Sequence, residues 1–141
     1  MIDYFLDTNA CIALINGTSA GVRRRFRQAI DRQKTVAVSS VVVYELWYGV
    51  EKSQRRELNT QRLEAFLGGP LVIAPFDQED ARVAGSIRAE LERVGKPIGA
   101  YDVQIAGQAR RYAATLVTSN SNEFARVSGL KWVDWAALKS K

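Results

Sequence analysis

The segment Ile2-Asp3-Tyr4-Phe5-Leu6-Asp7-Thr8-Asn9, residues 2–9, decides how the rest of the chain reads. A short run of apolar and aromatic residues is β-prone, and the Asp-Thr-Asn that closes it has the composition of a strand end passing into a helix N-terminus. Working outward, β-prone runs recur at 35–38, 71–74, 115–118 and 131–133, and helical patterns separate most of them. Alternation of this kind predicts an α/β fold: one doubly wound, mostly parallel five-stranded sheet with helices on both faces, in a single domain spanning 1–141. Asp7 then lies at the carboxyl edge of the sheet, where open α/β sheets bind ligands.

The helices follow from period and punctuation. A short one is predicted over 9–15, ended by Asn16-Gly17, and a second over 19–32, with Val22, Phe26 and Ile30 on one stripe. A third covers 41–53 and a fourth 55–67, stopping at Gly68-Gly69-Pro70. Asp77, with Asp80 three residues on, opens a long helix to 94 through a variant capping box, and the last clear helix spans 101–112.

Composition removes whole mechanisms. The 141 residues include no histidine, so imidazole-dependent nucleophiles, imidazole acid/base pairs and histidine-bound zinc are excluded. The single cysteine, Cys11, can form neither an internal disulfide nor a thiolate metal site and is read as a small buried residue. Any bound metal must have oxygen ligands, which favours Mg²⁺, with Mn²⁺ as the alternative. A net charge of +5 suits a polyanionic partner. The densest basic group is Arg23, Arg24, Arg25 and Arg27, followed by Lys52, Arg55 and Arg56, then Arg110 and Arg111; such runs are ordinarily solvated helix faces. No stretch is long and apolar enough to span a bilayer or to act as a signal core, so a cytoplasmic location is expected, with no membrane partner.

Chemistry therefore falls to carboxylates. Asp7 could be a plain helix cap. Glu45 shares a helical stripe with Val41, Tyr48 and Gly49, which directs a charge along a partly apolar face, or else leaves it at the rim. Asp102 stands in a first helical turn in line with Ile105, Ala106 and Ala109, facing inward where first-turn acids usually face solvent. The polar stretch 118–124, Thr-Ser-Asn-Ser-Asn-Glu-Phe, follows a strand and reads either as an ordinary turn or as a support for these acids. Three inward acids on successive connections would repel one another, so a divalent cation among them is the leading inference.

The same residues carry a resemblance. Leu6-Asp7-Thr8-Asn9, Ser39-Ser40 leading to Tyr44-Glu45-Leu46 and Tyr48-Gly49-Val50-Glu51-Lys52-Ser53, Ile87-Arg88-Ala89-Glu90-Leu91, Gly95 to Asp102 with Ile105-Ala106, Leu116-Val117-Thr118 and Glu123-Phe124 resemble the PIN-domain ribonucleases, specifically the VapC toxins of toxin–antitoxin pairs. The likeness runs nearly end to end. It implies that Asp7, Glu45 and Asp102 are the metal-binding catalytic acids, with Thr8, Ser39 and Thr118 as supports. It also implies an RNA substrate, the initiator tRNA for the nearest look-alikes, together with a VapB-type antitoxin, a homodimer, a higher assembly with the antitoxin, and operator DNA reached only through that antitoxin. Many PIN domains place a fourth acid where this chain has Asn120, which leaves three formal charges.

Two other classes compete. A signalling receiver needs an acid at the end of the third strand, where this chain reads Ile73-Ala74-Pro75-Phe76. A PIN-like RNA-binding or regulatory module with an impaired centre would take Asn120 as its sign of decay.

Overall fold

A computed structural model describes residues 1–137. The elements run β1 (Tyr4–Leu6), α1 (Thr8–Asn16), α2 (Ala20–Asp31), β2 (Val36–Ser39), α3 (Ser40–Lys52), α4 (Arg56–Leu67), β3 (Val72–Ala74), α5 (Gln78–Arg93), α6 (Ala100–Arg111), β4 (Thr115–Val117), α7 (Ser121–Phe124) and β5 (Lys131–Val133). All the strand pairings are parallel, so the sheet is wholly rather than mostly parallel, in the order β3-β2-β1-β4-β5. The chain steps outward from β1 to β3, then returns to the far side of β1. With right-handed crossovers, the connections before β3 cover one face and those after it the other. Accordingly α1 packs on α2, α3 and α4, while α5 packs on α6.

The central strands are buried on both faces, which is why they read as continuous apolar runs: Phe5, Leu6, Val36, Ala37, Val38, Leu116 and Val117 are essentially inaccessible. β1 begins two residues later than its apolar run suggests. The Asp3 carboxylate accepts the Thr35 N–H at 2.8 Å, which replaces a ladder bond with a side-chain one. Trp135 belongs to the core, its ring 5.2 Å from that of Tyr4, whereas Trp132 is exposed.

α5 and α6 form the tightest helix pair, because Gly107 of α6 lies directly against the backbone of Ala84. The capping box at α5 is present: Asp77 accepts from the Asp80 N–H and Asp80 returns the bond to the Asp77 N–H. Asp80 is 0% exposed and its other oxygen accepts from Arg111 Nη1 at 3.0 Å. Arg111 is therefore a structural partner rather than a solvated or RNA-facing charge, and Arg110 likewise donates to the Ser128 carbonyl. Arg111→Ala leaves a buried carboxylate without its cation and should lower stability, read as a lower urea midpoint at neutral pH.

Candidate metal and catalytic site

The strand order reverses between β1 and β4, which opens a crevice at their carboxyl ends. Leu6 pairs with Val117, so the next residues, Asp7 and Thr118, leave the sheet side by side. Asp7 is 6% exposed and caps α1, its Oδ1 accepting from the Ala10 N–H at 2.8 Å. The cap and the inward acid are thus one residue, and the two readings of Asp7 do not compete. Burial holds the Asp7 carboxyl above its ordinary range, outweighing Thr118 and the Ala10 N–H, which favour its ionised form, with Asp134 and Glu45 adding to the rise.

α3 starts from Ser39, whose hydroxyl accepts the Val41 N–H at 3.1 Å, while Ser40 Oγ accepts from the Phe76 N–H at 2.9 Å. Ser39 is thus the N-cap that fixes where α3 begins. The buried stripe of α3 is Val42, Leu46 and Val50, so Glu45 stands at its flank, half-buried, while Tyr48 and Gly49 are exposed. It is the rim position, not the apolar stripe, that Glu45 occupies. Thr8 Oγ1 donates to Glu45 Oε1 at 2.7 Å, which joins the start of α1 to α3 and aims the carboxylate at the crevice.

Asp102 is half-buried in the first turn of α6, in line with the buried Ile105, Ala106 and Ala109. A helix N-terminus favours an anion by roughly 0.3–1 kcal/mol. Here that help loses: the Asp102 carboxyl is pushed up to about 6, first by burial, then by Glu123, Glu45 and Asp7. Four acids from four segments therefore share one electrostatic neighbourhood.

Glu123 lies in the polar stretch that reads from the sequence as a turn or a support, with no role of its own there. The stretch after β4 contains the short helix α7, which turns Glu123 back toward Asp102, and Asn120 Nδ2 donates to Glu123 Oε2 at 3.1 Å. Asn120 itself is anchored by its N–H on Thr118 Oγ1 at 3.0 Å. A negative charge is thus present near the place where Asn120 alone suggests none. Asp134, directly after β5, was also missed, although it follows a strand as Asp7 does.

Among the described residues, no three carboxylates converge on one point from which an ion could be held. Three of the four acids are engaged by protein donors: Asp7 by Ala10, Glu45 by Thr8 and Glu123 by Asn120. The donor set nevertheless fits a hard cation, being all oxygen, mutually repelling and partly desolvated. Cys11, fully buried behind Asp7, is inert packing, its thiol pushed well above the usual range by burial and by Asp7. β3 ends at Ala74 and is an edge strand, so the receiver alternative lacks its acceptor acid.

An apolar groove of about 250 Å³ runs beside Glu45 between α1, α3 and α4, lined by Ile12, Ile15, Leu46, Val50 and Leu63. No helix among the described residues is long and apolar enough to cross a membrane.

The PIN domain family pattern matches residues 4–130. The tRNA(fMet)-specific endonuclease VapC of Shigella flexneri is 43% identical over 136 residues, covering 96% of this chain and all of the relative. The enzyme of the same name from Salmonella typhimurium is 39% identical over 135 residues, covering 96% of this chain and 99% of the relative. Among solved structures, VapBC2 from Rickettsia felis bound to a DNA fragment from its promoter superposes with a TM-score of 0.88 at 38% identity, covering 96% of this chain and 99% of that one.

Proposed function

The chain belongs to the PIN-domain family, and from that membership we propose that it is a metal-dependent endoribonuclease of the VapC kind, a toxin that hydrolyses RNA phosphodiesters and so inhibits translation. One observation carries the reading: Asp7, Glu45, Asp102 and Glu123 come from four separate segments yet act on one another at the switch point of the sheet, with Asp102 raised to about 6.

Asp7 and Asp102 would hold the cation, and Glu45 would complete the set or orient the attacking water. Mg²⁺ is the ion these hard oxygen donors favour, with Mn²⁺ able to replace it. Such an ion, when bound, supplies Lewis-acid stabilisation of the charge that builds on the phosphate oxygens and lowers the pKa of water beside it. Thr8 keeps the Glu45 carboxylate aimed into the crevice, and its hydroxyl donor is readily exchanged for a cation or water. Thr118 serves Asp7 in the same way and fixes the backbone of Asn120. Asn120 positions Glu123, so an amide here is compatible with an active centre, and Glu123 supplies the further charge that a decayed centre would lack. Protonation at Asp102 opposes cation uptake, so affinity for Mg²⁺ should fall by about tenfold per unit as pH drops below about 6.

The names of the relatives point to the initiator tRNA as substrate. The DNA-bound VapBC structures support a VapB-type antitoxin as partner and a DNA-bound assembly with it; that this chain is a dimer there, and that the DNA is reached through the antitoxin, is part of the same proposal. The groove beside Glu45 offers an apolar segment of the antitoxin a place next to the acids. All of this suits one catalytic domain acting in the cytoplasm.

The test is cleavage of initiator tRNA by the purified chain with Mg²⁺, with EDTA, and as Asp7→Ala. Cleavage should require Mg²⁺ and fall at least about a hundredfold in the variant. Equal residual cleavage in all three would assign it to a contaminating nuclease and remove the proposal.

A further inference from the structure

Three tyrosines stand in the open around the acids: Tyr44 is 56% exposed, Tyr48 59% and Tyr101 44%. Single exposed aromatics need no explanation, but these are contiguous and tied to the site. Tyr44 immediately precedes Glu45 on α3, and Tyr101 immediately precedes Asp102 on α6. Their rings meet across the two helices at 5.8 Å between centroids, tilted by 46°, and their hydroxyls lie 3.4 Å apart. Tyr48 follows one turn along α3, and one turn further Lys52 places its ammonium 5.0 Å from the Tyr48 ring centroid. From Tyr44 to Lys52 the helix thus presents aromatic, aromatic and cation over about 12 Å, starting at the carboxylates and leading away from them.

The geometry points to this strip as a stacking platform for unpaired nucleobases of the RNA, holding the nucleotides next to the bond that is cut. The inference rests on the ribonuclease reading and extends it to how the substrate is held: unpaired bases stack on the exposed faces of Tyr44, Tyr48 and Tyr101. The physical need is specific to this site. Clustered carboxylates repel the phosphate backbone that must approach them, whereas base–aromatic stacking attracts regardless of that charge and of sequence. Lys52 lies at the end remote from the acids, where a phosphate can be met without opposing them. A paired stem keeps its base faces covered and offers these rings nothing to stack on.

The experiment uses Asp7→Asn protein, so that RNA survives, and a short single-stranded RNA carrying 2-aminopurine, whose fluorescence is quenched when the base stacks. Adding Tyr44→Ala or Tyr101→Ala should weaken binding by about 5- to 100-fold and abolish the quench. Tyr44→Phe and Tyr101→Phe, which keep the ring, should stay within about threefold. An abasic polyphosphate chain of the same length should bind weakly and indifferently to all the variants. Unchanged affinity and quench in the alanine variants overturns the platform, as does a phenylalanine variant as poor as alanine. A shift from dimer to monomer in sedimentation, with RNA affinity unchanged, overturns it in favour of a second copy covering the rings. Binding is read without cleavage, so a failure of Mg²⁺-dependent cleavage by the wild type would strike the ribonuclease reading separately.

Discussion

Asp102→Asn should abolish RNA cleavage and, with EDTA present, make the protein more stable than the wild type. Loss of a carboxylate proposed to hold the cation should lower cleavage by at least about a hundredfold. The gain in stability comes from the same charge. In the folded chain the Asp102 carboxyl is held at about 6 against an ordinary value of 3.8, because burial, Glu123, Glu45 and Asp7 all disfavour its ionised form. A carboxyl raised on folding weakens the fold as pH rises, since the unfolded chain releases the proton more readily. The penalty is absent below about pH 4, grows through pH 6 and is complete above it. At about 1.4 kcal/mol per unit, and discounted because the group is half exposed, it amounts to about 1–2 kcal/mol at pH 8. Asparagine removes it while keeping the shape. Urea denaturation at pH 8 in EDTA should favour the variant, the advantage should vanish near pH 4, and Mg²⁺ should stabilise the wild type more than the variant. A variant weaker than wild type at pH 8 in EDTA would show that the acids are not in conflict, and the metal inference would go with it.

The second large effect is on packing. Gly107→Ala should destabilise the protein by about 2–3 kcal/mol, although alanine is the better helix former by about 1 kcal/mol. A Cβ at Gly107 would lie 2.7 Å from both the N and the Cα of Ala84, backbone atoms of α5 that cannot turn aside as a side chain can. The helices must part or tilt, and α6 carries Asp102 at its start, so cation affinity should fall together with stability. Gly85→Ala is the control of opposite sign. It sits one residue from Ala84 in the interior of α5 with nothing within 4 Å of its would-be Cβ, and it should stabilise by up to about 1 kcal/mol. Chemical denaturation of the two variants side by side separates close approach from helix propensity. Equal effects would show that α5 and α6 are not in tight register.

Stability and function pull against one another at the crevice. Asp7 and Asp102 are both held above their ordinary ionisation range. Asp77, outside the crevice, shows the opposite: its carboxyl is kept below its usual range chiefly by the Asp80 N–H. Carboxyls raised together at one edge of the sheet are the mark of a centre organised for a ligand rather than for the fold alone.

Local features proved legible where the governing physics is local. The β-prone runs and the Asp77/Asp80 capping box depend on neighbours within a few residues, and they stand within one or two residues of where the pattern puts them. The strand order was not legible in this way, because alternation and handedness fix which face each connection covers and leave several orders open; the observed order is what brings the end of β1 beside the end of β4. Arg111 could not be read in this way, because its partner Asp80 lies 31 residues away and surface charge runs look alike whether solvated or buried against an acid. Glu123 was hidden by a turn-like composition, since only the folding of α7 brings its charge close enough to raise Asp102.

The sequence by itself determined the alternation of strands and helices, the restriction to carboxylate and oxygen-ligand chemistry, and the placing of Asp7 and Asp102 at strand-end and helix-start positions, because each depends on residue type and short-range period. Tertiary structure alone decided that Glu45 stands at a rim tied to Thr8, that Glu123 joins the acids, that Arg111 neutralises Asp80 and that Tyr44 meets Tyr101. Such pairings are set by distance across the fold, and charge and ring contacts act through space without regard to their separation along the chain.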